Sequence, residues 1–144
     1  MLTFGGAGTG PWQGMIDRDL VSRRLRGYRP AFYALRQAAD EITESESVSR
    51  LLGYDVRTYV YEIRRTDGTV AYVFWADIGL WLPGEAMPTR PVRVPVPAEG
   101  SMDVEWTVTD GDTLVRETLP IVDGFVVVEV GSIPAFLFPA SGGS

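Results

Sequence analysis

Arg57-Thr58-Tyr59-Val60-Tyr61-Glu62-Ile63, then Thr66-Asp67-Gly68-Thr69, then Val70-Ala71-Tyr72-Val73-Phe74-Trp75-Ala76 is the stretch on which the fold turns. Tyr59, Tyr61 and Ile63 alternate with Thr58, Val60 and Glu62, the period-two pattern of a strand, and Asp67-Gly68 supplies the tight hairpin that returns it. Downstream the same grammar repeats. Strands are predicted over 91–96, 103–109, 113–119, 125–130 and 134–138, separated by Pro-Ala-Glu-Gly, Asp-Gly-Asp, Val-Asp-Gly and Gly-Ser-Ile-Pro turns. About seven short strands at this spacing, with turn chemistry between nearly every pair, predict a mainly β chain: an antiparallel β-sandwich of two sheets packed face to face. Sixteen glycines and ten prolines in 144 residues fit that reading.

Upstream the period changes. Arg29-Pro30 sets up a helix start, because proline is tolerated in the first turn with its φ already helical. Ala31, Leu35, Ala38 and Ile42 follow at the spacing of one apolar stripe, widened by Phe32, Ala34 and Ala39. Ser47-Val48-Ser49-Arg50-Leu51-Leu52-Gly53 reads as one or two further turns closed by a C-terminal glycine. The expected organisation is an irregular segment over 1–29, a helical segment over 30–53, the sandwich over 54–139, and a linker-like tail over 140–144 ending Ser-Gly-Gly-Ser.

The size predicts a single core. A net charge of −6 and a pI near 4.6 give no positive field for a phosphate backbone, so nucleic acid is not an expected partner. All thirteen basic residues are arginine, six of them between Arg18 and Arg36, which reads as codon bias in a stretch that Asp17, Asp19, Asp40 and Glu41 can neutralise. Cysteine is absent, so no disulfide or thiolate chemistry is available. The first residues lack a basic and apolar leader, and no run reaches a membrane span, so a soluble chain with no membrane partner is expected and the compartment stays open.

Histidine is absent as well, which removes the commonest general base and metal ligand together. Catalysis would rest on carboxylates. Those of the β region fall at turns (Asp67, Asp110, Asp112, Asp123) or at outward strand positions (Glu62, Glu105, Glu117, Glu129), and no spacing singles out a catalytic pair. Asp110-Gly111-Asp112 offers oxygens to calcium but lacks the further ligands of a calcium loop, and a hairpin turn needs only this composition. Gly5-Gly6-Ala7-Gly8-Thr9-Gly10 is followed by neither the lysine nor the helix of a phosphate loop. No catalytic residue, metal site or cofactor is assigned.

Of the tryptophans, Trp106 shares a strand face with Val104 and Val108, and Trp75 with Val73, which places both in the core. Trp81 lies in the loop-like apolar stretch Ile78-Gly79-Leu80-Trp81-Leu82-Pro83-Gly84 and is the ring expected at an interface. Phe32 and Leu35, on the helix face that one flank of a small sandwich does not cover, are the other interface candidates.

Two segments together call up a family. Pro11-Trp12-Gln13-Gly14-Met15-Ile16-Asp17-Arg18-Asp19, followed by Arg29-Pro30-Ala31-Phe32-Tyr33-Ala34-Leu35-Arg36, resembles the end of a (β/α)8-barrel glycoside hydrolase, where such a run leads into the last barrel helix. The strands from Tyr59 to Trp75 and the closing Val128-Glu129-Val130-Gly131-Ser132-Ile133-Pro134-Ala135-Phe136-Leu137 are similar to the accessory β-sandwich that follows the barrel in such enzymes. Leu20 to Gly27 departs from the pattern as an insertion. The resemblance implies catalytic glutamates on barrel strands upstream of any residue here, so none is carried over. It implies a non-catalytic C-terminal module in a structural or interface role, partnered by a separately encoded catalytic barrel or by further copies of itself. Two alternatives stand beside it: a carbohydrate-binding module, which needs rings in line on an exposed face, and a self-associating structural protein.

Overall fold

Pro30 opens the helix α1 (Pro30–Thr43), as its fixed φ allows, and Thr43 closes it by donating its hydroxyl back to the Ala39 carbonyl. The computed structural model describes residues 16–18, 25–28, 30–79, 84–97, 99–109 and 113–140. They fall into two units, Met1–Thr43 with Val108–Leu114, and Glu44–Thr107 with Val115–Ser144. In the first unit, α1 is preceded by an antiparallel hairpin of β1 (Ile16–Arg18) and β2 (Leu25–Tyr28), irregular between Asp17 and Arg18. These short strands replace part of the irregular segment expected over 1–29. The helix is not long and apolar enough to cross a membrane.

Among the described residues the second unit holds eight strands: β3 (Ser45–Arg50), β4 (Thr58–Arg65), β5 (Val70–Ala76), β6 (Arg90–Pro95), β7 (Ser101–Trp106), β8 (Val115–Pro120), β9 (Phe125–Val130) and β10 (Ala135–Pro139). Six form one antiparallel sheet in the order β3-β4-β5-β10-β7-β8, and β6 pairs β9 in a second. The predicted helical continuation over 45–50 is instead the edge strand β3. Serine and a β-branched valine are poor helix formers, and pairing Val48 with Ile63 and Arg50 with Tyr61 gives this segment a ladder that an isolated turn lacks. Gly53 keeps its positive φ of 100°, in the β3–β4 loop and not at a helix end. The sandwich therefore begins near residue 45.

The turns behave as their residues dictate. Asp67 Oδ1 accepts from the Thr69 amide at 2.8 Å and hydroxyl at 2.7 Å, while Gly68 takes a φ of 85°. Asp123-Gly124, at φ 52° and 76°, makes the two-residue connection that swings the chain from the large sheet into β9, with Val122 and Phe125 exchanging backbone bonds.

Register fixes the faces. Val60 lies opposite Phe74, Phe74 opposite Ala135, and Ala135 opposite Trp106, while Tyr72, Leu137 and Val104 make the neighbouring row. These inner positions meet Val92, Val94, Val126, Val128 and Val130 of the β6–β9 layer in a single core. Trp106 takes the inner face that its period-two position predicts, but it packs against the core from the margin, half-buried, and is not within it. The Val96 amide donates to the Gly124 carbonyl at 3.0 Å, so the even-numbered residues of β6 bond β9 and the odd ones turn their backbone to the open edge. There Pro91 and Pro95 bring no N–H, and the Arg93 carbonyl accepts from the Tyr54 hydroxyl at 2.6 Å.

Gly131, where the chain leaves β9, is required for space: a Cβ there would stand 2.7 Å from the Met87 Sδ and Cε and 2.8 Å from the Pro88 carbonyl. Gly131→Ala should cost about 1–3 kcal/mol, as overpacking does, and Met87→Ala should restore only part of it, since Pro88 backbone remains. Leu137→Ala, at a fully buried position, should cost about 2–5 kcal/mol. Urea unfolding followed by tryptophan fluorescence measures all three, and a Gly131→Ala variant as stable as the parent would refute the first.

Candidate functional site

Two surfaces hold the candidate residues, and the first is α1. Phe32 is half-buried and meets Tyr33 edge to face at 5.5 Å, and Arg36 lies over the Tyr33 ring at 5.5 Å. Gln37 is buried and its Oε1 accepts from the Val108 amide at 3.2 Å, so the polar side chain, and not the apolar stripe, faces the closed side of this helix. Leu35 is 54% exposed and Ile42 44% exposed. The stripe predicted from spacing is real, but its two largest members are at the surface.

The second surface is the face of the large sheet turned away from β6 and β9. In a simple sandwich it would be polar. Here Ile63, Ala71 and Phe136 are buried on it, together with two carboxylates of β7, Asp103 and Glu105. Each acid has a cross-strand partner on β8: Thr118 donates its hydroxyl to Asp103 at 2.6 Å, and Arg116 donates to Glu105 at 2.6 Å. Pairing is what makes such burial tolerable. The outward position expected for Glu105 is correct as to face and wrong as to exposure, because strand alternation says which face a residue takes and nothing of what covers that face.

Three rings of the same face stack on one another. Trp75 stacks on Tyr59 at 5.1 Å and on Tyr61 at 5.6 Å, with planes within 10° and 11° of parallel, and Arg50 lies over Tyr59 at 4.8 Å. Trp75 is thus not in the core. It shares a face with Val73, as predicted, but Phe74 and Tyr72 face the β6–β9 layer, leaving Trp75 half-exposed on the other side. Two apolar rows on one strand gave no basis in sequence for choosing between the faces.

At one end of the sandwich Asp55 braces the β3–β4 loop. Its Oδ1 accepts from the Thr58 hydroxyl and the Arg57 amide, both at 2.9 Å, and its Oδ2 from Arg90 at 2.7 Å. The Thr58 bond first, then the Arg57 amide and Arg90, hold its carboxyl below the ordinary value of 3.8. In the core, burial pushes the Tyr72 phenol up to about 12. Among the described residues no group of three or more acids, histidines or cysteines is placed to hold a metal ion. Trp81 and the Asp110-Gly111-Asp112 turn lie outside the described residues.

No family model matches the chain, and no curated protein matches it.

Two outcomes follow. A group whose folded pKa is depressed stabilises the fold above its ordinary value and loses that contribution as pH falls through the folded one. Asp55, and Asp67 with its Thr69 bonds, should therefore make the chain less stable as pH drops below 3.8, and Asp55→Asn should flatten that part of the curve. Thermal melts across pH 2–6 check it, an unchanged slope counting against the assignment. Trp75→Ala should cost roughly 1–3 kcal/mol through lost stacking, less than the about 3–5 kcal/mol of a core tryptophan, with Trp75→Phe retaining most of the stability in urea unfolding.

Proposed function

We propose that this chain is the non-catalytic C-terminal module of a glycoside-hydrolase-like protein, in which a helix and a β-sandwich act as structural support and as an interface. The observation that carries the reading is the exposed helix stripe: Leu35 and Ile42 stand at the surface of α1 while Gln37 takes the buried position. Apolar side chains aligned on one helix face and left in water favour association, at about 25 cal/mol per Å² of area covered. The helix-then-sandwich order agrees with the segments that resemble the end of a barrel enzyme. The two buried carboxylates of β7 are each paired to a neighbour, which gives them a structural role in this reading.

A carbohydrate-binding role is the second reading, favoured by Tyr59, Trp75 and Tyr61 clustering, partly exposed, on one sheet face. Their near-parallel planes weigh against it. A sugar stacks on a ring face, and here the rings direct faces at one another.

Light scattering of the purified chain, alone and co-expressed with a glycoside-hydrolase (β/α)8-barrel domain, tests the first reading. A dimer, a larger oligomer or a stable complex with the barrel is expected, dissociated by Leu35→Asp or Phe32→Asp with the β-sheet circular dichroism retained. Aryl glycosides should not be cleaved by the chain alone. A monomer at high concentration that ignores the barrel would sink the reading, as would turnover abolished by mutating one acid of this chain.

A further inference from the structure

The last of the described strands, β10, stands in the middle of the larger sheet. β10 is hydrogen-bonded to β5 on one side and β7 on the other, and it makes no ladder with its predecessor β9, which belongs to the other layer. Without it the six-stranded sheet separates into β3-β4-β5 and β7-β8, each with an open edge on the same slot. The slot is specific. Ala135 sits between Phe74 and Trp106, Leu137 between Tyr72 and Val104, and Phe136 between Val73 and Glu105. Ala135, Phe136 and Leu137 are all buried, so the strand is covered on both faces as well as both edges. Beyond it the Ala140 amide donates to the Ser101 carbonyl at 3.3 Å.

The crossing into this slot is short and held at both ends. The Gly131 carbonyl accepts from the Ala76 amide at 2.8 Å, and Gly131 has no room for a Cβ. The Pro134 carbonyl accepts from both the amide and the hydroxyl of Thr107. Ser132 and Ile133 are the hinge between them. We propose that the slot between β5 and β7 is a strand-acceptor site that takes Pro134–Ala140 from a second copy of this chain as well as its own, so that closed monomer and strand-exchanged dimer are two packings of one sequence.

The two packings share every contact of β10, because the donated strand has the same residues in the same register. They differ at the hinge and in the concentration of the strand, which in the monomer is set by the tether. A two-residue hinge between fixed points has no slack, so shortening it acts on the closed form alone. The inference stands apart from the functional reading above, which concerns α1.

Deleting Ser132 and Ile133 from the full chain should convert it to a species of twice the monomer mass with the β-sheet dichroism retained, stable to dilution until denaturant is added. A folded monomer would overturn the proposal. A second measurement decides if the deletion does not fold. The intact chain is unfolded in urea and refolded with a fluorescent peptide of residues 132–140 at about 1 mM, of the order of the effective concentration of a tethered strand. Roughly half of the refolded chains should carry the peptide, and the same peptide with Leu137→Asp should be captured at least tenfold less. Refolding with no capture above that control would equally overturn the proposal.

Discussion

Everything in the larger sheet depends on backbone pairing along both edges of β10. The strands on its two sides come from separate parts of the chain, β5 from the β4–β5 hairpin and β7 from the second half, and nothing else in the sheet joins them. The hydrogen bonds themselves are replaceable by water. What makes the strand indispensable is that Ala135 and Leu137 also complete the inner core while Phe136 is buried on the opposite face, so that both sides of the sheet are sealed by the same few residues. A sheet closed by its last strand acquires its long-range contacts late, the regime in which loop-closure entropy is met before the contacts that offset it.

Much of this architecture is legible in the sequence, and the reasons are local. Val70–Ala76 and Phe125–Val130 are strands over the residues that alternation and turn chemistry mark out, because Asp67-Gly68 and Asp123-Gly124 fix where each begins. Legibility fails where only a partner strand decides. Ser45–Arg50 has a single apolar residue among serines and charges, so no period can be read from it, and the segment becomes a strand through the ladder β4 offers. Trp75 fails for a related reason. Tyr72, Val73, Phe74 and Trp75 form a continuous apolar run, which fits a strand covered on both faces and leaves the orientation to the register with β4 and β10.

The candidate surfaces show the same division. Leu35 and Phe32 are recoverable from helical spacing, yet spacing cannot say that Gln37, by capturing the Val108 amide, takes the buried position. Glu105 reads as an ordinary outward acid of a strand, and Asp103 as no more than its first residue. Their burial depends on Thr118 and Arg116 standing directly across on β8, a pairing that exists only once β7 and β8 are in register.

The open edge of β6 has a consequence for how wide the second layer grows. A two-stranded sheet ordinarily invites a third strand, since every second residue holds its N–H and C=O outward. Pro91 and Pro95 remove two of those donors and Tyr54 occupies the acceptor between them, so an incoming strand would find a ladder broken at each of these three residues. The other edge, on β9, is tied at its two ends, by Phe125 to Val122 and by Gly131 to Ala76. The narrow layer is therefore held at two strands by its own chemistry, and among the described strands of this unit the edges left for strand addition are those of the wide sheet, β3 and β8.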